Sequence, residues 1–384
     1  MANKIGSNDI AKYYVGSSEV DKIYLGSDLV YSKTPPIPAY QMLDTLATAK
    51  YYLAGAGANG YAVFAGGVGG GQNNQVEAYN MNSSGTKSTL STLATAKHYL
   101  AGAGANGYAV FAGGYSGSYN NQVEAYNMNS SGTKSTLPTL SDSRGGLAGA
   151  GAYGYAVFAG GRTSSSSHSS KVEAYNMNSS GTKSTLSALA TAKFYLAGAG
   201  ANGYVVFAGG VGGAGGGTYY NQVEAYNMNS SGTKSTLSTL ATKKHDLAGA
   251  GANGYVVFAG GAYYSSGTIL NNQVEAYNMN SSGTKSTLST LSDSKSYLAG
   301  AGANGYAVFA GGSDGGIVPS SLYNQVEAYN MNSSGTKSTL SNLLMSKCAL
   351  AGAGANGYVV FAGGTTSAYG STHYNHVEAY YPGT

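Results

Sequence analysis

The sequence predicts an all-β protein, a closed ring of seven four-stranded antiparallel sheets, which is a seven-bladed β-propeller. Three observations carry that expectation. The stretch LAGAGANGYAVFAGG at residues 53–67 returns with few changes from Leu100, Leu147, Leu196, Leu247, Leu298 and Leu350, at spacings of 47 to 52 residues. Periods of this length mark repeat architectures, in which each unit buries its face against the next. Charged residues make up only 9% of the chain, against 60 Gly, 35 Tyr and no Trp, a balance that suits short strands and tight turns rather than helices. Each period, finally, holds four strand-like segments separated by turn residues, the content of one propeller blade.

The elements follow in order. Residues 1–33 carry a shorter repeat, DIAKYYVGS at 9–17 and EVDKIYLGS at 19–27, followed by DLVY at 28–31. Alternating apolar and polar residues with Gly-Ser turns predict a small β-meander. Residues 34–38, Thr-Pro-Pro-Ile-Pro, form a stiff extended linker. In the second long copy, residues 100–105 are small and apolar. They suit an innermost strand, where blades crowd the central channel and only small side chains fit the taper. Asn106-Gly107 is a hairpin turn, and residues 108–112 form a second strand stopped by Gly113-Gly114. After a variable loop come VEAY at 123–126, the turn NMNSSG, and TKSTL at 133–137. The seventh copy has only its first three strands, whereas residues 39–46 precede the first copy where every other copy has its outer strand. Residues 39–43 are therefore expected to serve as the outer strand of the seventh blade, closing the ring and leaving no end unpaired.

Over residues 39–384 these landmarks resemble the Kelch repeat. A basic residue (Lys97), a small first strand, YAVFAGG and VEAYN occur in that family's order. The Trp of the outer strand is absent. The resemblance places Lys87 and its equivalents there, which implies weaker or rearranged packing.

Gly55, Gly57 and Gly60 match G-x-G-x-x-G, but a dinucleotide fingerprint has to open a helix after a strand. Here a strand-like run and a Gly pair follow, and seven copies in one chain exclude a nucleotide site. A net charge of +4 without clustered Lys or Arg gives no support for nucleic acid. The single Cys348 excludes an intrachain disulfide framework. No run approaches 18 apolar residues and the first ten lack an apolar core, so neither membrane insertion nor export by a signal peptide is expected.

The seven copies form an internal alignment. The turn NMNSSG is constant, and ANG varies only at Tyr153. Variation falls in the loop after Gly-Gly and in the residue pair after the basic residue. In a four-stranded blade both sites emerge on one face. They supply the candidate ligand contacts: Tyr51, Tyr52, His98, Tyr99, Phe194, Tyr195, His245, Asp246 and Tyr297 from the pairs. From the loops come Tyr115, Tyr119, Arg162, His168, Tyr219, Tyr220, Tyr263, Tyr264, Tyr323, Tyr369, His373 and Tyr374. Tyr, Ser, Gly, Asn and His are the composition of adaptable binding loops. Against neutral drift stands the constancy of the exposed NMNSSG turn.

The basic residues Lys50, Lys97, Arg144, Lys193, Lys244, Lys295 and Lys347 could form a positive ring for an anionic polymer. The equally repeated Glu77, Glu124, Glu173, Glu224, Glu275, Glu327 and Glu378 offer seven partners instead, and pairing is favoured. His373 and His376 are too few for a metal site. No nucleophile motif or paired carboxylates appear. No catalytic residue and no cofactor is therefore expected.

Residues 1–33 resemble short N-terminal modules of tail-associated proteins in phages and prophages of Gram-positive bacteria. With no signal peptide, that implies a virion-borne protein, made in the host cytoplasm, attached to tail or baseplate proteins through residues 1–33. The expected activity is non-enzymatic adhesion: recognition of a host surface glycan or protein by the variable face. An intracellular Kelch scaffold for a peptide or protein, or a glycan-processing enzyme, are the alternatives.

Overall fold

In the computed structural model, residues 39–213, 217–315, 321–366 and 372–383 are described in full, together with the backbone of four N-terminal strands. The chain divides into two units at Pro38/Ala39. In the first, Tyr14–Val15 pairs with Ser18–Glu19, and Lys22–Leu25 with Asp28–Ser32, as two separate antiparallel ladders.

The second unit is a ring of seven four-stranded antiparallel sheets. Blade 2 shows the pattern. Ala101–Ala105, Tyr108–Ala112, Val123–Asn127 and Thr133–Leu137 pair in sequence order, with Asn106 at φ 46° and Gly107 at φ 76° making the first hairpin. Positive φ at both central positions is the geometry for which Asn-Gly is selected. Blade 7 takes its fourth strand from the start of the unit. Tyr40–Leu43 pairs with Val377–Tyr380, Tyr40 opposite Tyr380 and Leu43 opposite Val377.

Period-two alternation gives each blade two buried faces, so the core lies between blades. Ala56, Val63, Ala65, Val76 and Ala78 of blade 1 pack against Ala109, Phe111, Tyr126 and Met128 of blade 2. The same complementarity, small residues and Val facing Phe, Tyr and Met, recurs around the ring. Along the channel the inner strands touch backbone to backbone. A Cβ placed on Gly104 would meet Gly57 O, one on Gly57 would meet Gly354 O, and one on Gly354 would meet Gly302 O. Glycine here is a requirement of closure.

The seven basic side chains are fully buried. Each meets the glutamate of its own blade: Lys50–Glu77 at 3.0 Å, Lys97–Glu124 at 3.3 Å, Arg144–Glu173 at 2.6 Å, and likewise Lys193–Glu224, Lys244–Glu275, Lys295–Glu327 and Lys347–Glu378. They belong to the frame and form no exposed positive ring. Lys87, at the position of the missing Trp, reaches Glu77 Oε1 at 2.8 Å and donates to Thr45 O at 2.6 Å. Outer-strand packing is thus rearranged into a polar clamp that fixes the crossover between blades. In blade 7, Tyr40 stands in the register of this lysine and its hydroxyl lies 3.2 Å from Glu378 Oε2.

The constant turns have a structural cause. Asn59 Nδ2 donates to Met128 O of the next blade at 3.1 Å, and Asn82 Nδ2 donates back to Asn59 O at 3.2 Å. Asn106, Asn202, Asn253, Asn304 and Asn356 make the same inter-blade bond. The asparagine Asn82 of NMNSSG is therefore held by its bonding, whereas Ser83 and Ser84 of the same turn are exposed.

Candidate functional site

The two variable segments share one face, joined by short ladders: Tyr51 bridges Val68, His98 bridges Tyr115, Gly145 bridges Arg162, and Lys193–Phe194 pairs with Val211–Gly212. At the centre of that face the second members of the seven pairs form a ring: Tyr52, Tyr99, Gly146, Tyr195, Asp246, Tyr297 and Ala349. Seven backbone hydrogen bonds run round it head to tail. Tyr52 N donates to Ala349 O, Tyr99 N to Tyr52 O, Gly146 N to Tyr99 O and Tyr195 N to Gly146 O. Asp246 N donates to Tyr195 O, Tyr297 N to Asp246 O, and Ala349 N to Tyr297 O, which closes the circle.

All seven residues have positive φ, from 50° at Asp246 to 64° at Gly146. For an L-residue with a bulky side chain the left-handed conformation costs about 1–2 kcal/mol. Glycine in the third copy is what this backbone prefers. Tyrosine occupies four of the other positions in spite of it.

The ring walls a cavity of about 200 Å³, lined by Tyr52, Tyr99, Tyr195, Asp246 and Tyr297 and by the leucines that begin each inner strand. Tyr52 and Tyr99 lie 4.3 Å apart by ring centroids, and Tyr99 and Tyr195 5.6 Å. The Tyr52, Tyr99 and Tyr195 hydroxyls interact electrostatically round the funnel, and the Tyr297 hydroxyl with the Asp246 carboxylate. Burial raises the phenol pKa of Tyr52, Tyr99 and Tyr195; at Tyr297 the Asp246 carboxylate does so first and burial second. All four stay neutral hydroxyls at physiological pH. His245 Nδ1 lies 2.6 Å from Asp246 Oδ2, and although burial works against its protonation, the carboxylate raises its pKa overall.

A second cavity of about 160 Å³ adjoins the first over blade 3, lined by His98, Tyr99, Tyr115, Tyr119, Gly145, Gly146, Arg162, Phe194 and Tyr195. His168 stacks on Phe194 at 4.7 Å and 7°, with the Arg162 guanidinium 5.3 Å from the same ring. Burial lowers the His98 and His168 pKa values, at His168 with help from Arg162.

The remaining candidates stand outside these cavities. Tyr51 packs on His373, Tyr219 on His245 and Tyr263, and Tyr374 on His376. Tyr220 and Tyr323 lie over the buried ammonium groups of Lys193 and Lys295, 5.8 and 5.6 Å from their ring centroids. Tyr264 is exposed, and Tyr369 lies outside the described residues. Among the described residues no group of three His, Cys, Asp or Glu side chains could hold a metal ion. Missing from the expected site were Gly145 and Gly146. Their replacement of an aromatic pair in the third copy was the available signal, since a glycine where other copies vary marks either positive φ or missing bulk.

No protein-family profile and no curated protein sequence matches this chain. Among solved structures, that of YjhT superposes with a TM-score of 0.61 at 12% sequence identity, covering 78% of this chain and 99% of that one. The fold is a Kelch-like β-propeller. At that identity the likeness extends to the fold and not to the ligand.

Proposed function

We propose that the protein is a non-enzymatic binding protein whose central tyrosine funnel and surrounding loops take a glycan displayed on a host surface. The observation that carries this reading is the set of four tyrosines held in left-handed backbone against local preference. Strain of that kind persists where the surrounding structure enforces it and clusters at ligand clamps. The funnel's chemistry fits a neutral polyhydroxylated ligand: aromatic faces to stack on, phenolic hydroxyls that both donate and accept, and one carboxylate to accept from ligand hydroxyls. Attachment to a phage tail through residues 1–33 rests on the resemblance of that segment alone and belongs to the same proposal. The test is binding of the purified chain to host cells and to a glycan array, before and after every loop following Gly-Gly is replaced by the short loop of blade 1. Saturable binding by the native chain that the replacement weakens for oligosaccharides is expected. Oligosaccharide binding at unchanged affinity after the replacement, or no glycan binding by the native chain, contradicts the reading.

A further inference from the structure

The seven-fold face is broken at blade 3, and the break has the form of a second subsite. Every other blade has a side chain at both positions of the pair, whereas blade 3 has Gly145-Gly146. A Cβ on Gly146 would come 2.9 Å from the Tyr195 ring, and one on Gly145 would come 3.3 Å from Tyr119 Cδ1. Tyr195 therefore leans over bare backbone, reaches Tyr99, and with it forms a partition common to both cavities.

We propose that the glycan lies along a radius of the propeller over blade 3, with its terminal sugar in the funnel and the next in the groove. This rests on the glycan reading of the funnel. Cavities of about 200 and 160 Å³ each fall below the usual volume for a whole ligand, so each suits one small ring and the two together a linked pair. The groove's walls are unlike each other. On one side His98, Tyr115 and Tyr119 present aromatic edges and faces. On the other stands Phe194, backed by His168 and Arg162. Arg162 donates Nε to Ser164 O at 3.0 Å and Nη2 to Ser165 O at 2.7 Å, which orders the guanidinium in its loop and leaves its remaining donors for ligand oxygens. Among the described residues His98 Nδ1 and His168 Nε2 have no hydrogen-bond partner, and such buried polar atoms call for one.

A peptide strand fits this groove poorly. Strand addition needs unpaired backbone, but Gly145 N donates to Arg162 O at 3.0 Å, Arg162 N to Gly145 O at 2.8 Å, and Gly146 N to Tyr99 O at 2.9 Å. What the groove leaves open is ring faces and side-chain donors. Asp246 in the funnel and Arg162 in the groove set the polarity: an uncharged terminal sugar inside, and any acidic substituent only on the outer unit.

The test uses the full chain and an array of neutral and acidic oligosaccharides of one to six units, with free peptides as a comparison set. Gly145→Phe fills the groove with the residue that blade 4 carries at the same position, Phe194, and Arg162→Ser removes its cation. For the oligosaccharides the native chain binds, both variants should bind at least tenfold more weakly from two units upward, with single sugars and the melting temperature unchanged. If melting shows that Gly145→Phe does not fold, Arg162→Ser decides alone. Unchanged affinity for the longer chains in a folded variant overturns the groove and leaves the funnel reading standing. Binding of peptides and of no glycan overturns both.

Discussion

Tyr153 is where one residue breaks the frame. Its six counterparts are asparagines that bond to the next blade, while Tyr153 sits at φ 49° and is 66% exposed. Asparagine tolerates that backbone better than tyrosine, and its amide would restore the missing inter-blade bond. Tyr153→Asn should stabilise the protein by about 1 kcal/mol, read as a higher denaturation midpoint at unchanged slope. Cys348 carries the single thiol of the chain. It is buried, burial pushes its thiol up to about 11, and it should stay unreactive to thiol reagents at pH 8 until the protein unfolds. The sequence made the seven-fold pairs visible, but not the division of labour within them. That the second member turns inward depends on its positive φ, and only Gly146 betrayed it. The contact of Tyr220 and Tyr323 with buried lysines was equally illegible, because a loop tyrosine beside a buried lysine looks in sequence like any other loop tyrosine.

For the strands, glycine spacing and ion pairing decide what is tolerated. Gly104→Ala would drive a methyl into Gly57 O, backbone that cannot move without shifting blade 1. A loss of about 3 kcal/mol is expected from calorimetry, at the upper end of overpacking costs. The glutamates give a pH signature. Burial alone would raise the pKa of Glu77, yet the Lys50 and Lys87 ammonium groups and the Ala47 N–H hold it below the ordinary value. Glu124, Glu173, Glu224, Glu275 and Glu327 behave alike. A depressed carboxylate pKa contributes stability that is present above the unfolded-state value, about 4.3, and is lost as pH falls through the folded value. The melting temperature should hold from about pH 7 to 5 and drop steeply below about pH 4. Strand order, hairpin turns and the Lys–Glu pairing were legible because each recurs in register. The polar clamp of Lys87 was not, because its partner Thr45 O belongs to a crossover segment and to no motif.

Tyr40–Leu43 completes blade 7, so deletion of residues 34–46 should leave that blade with three strands and lower the melting temperature sharply. An unchanged transition would contradict closure. The binding face rests on tyrosines kept where the backbone prefers glycine, and one variant addresses that directly. In Tyr52→Asn/Tyr99→Asn/Tyr297→Asn the relief of left-handed strain, about 1 kcal/mol per site, offsets ring contacts of similar size. Glycan-array binding and thermal melting of this triple variant should show a transition within a few degrees of the native chain and no remaining glycan binding. Retained binding, or a variant that no longer folds and so makes the tyrosines part of the frame, would contradict the assignment of the funnel as the ligand site.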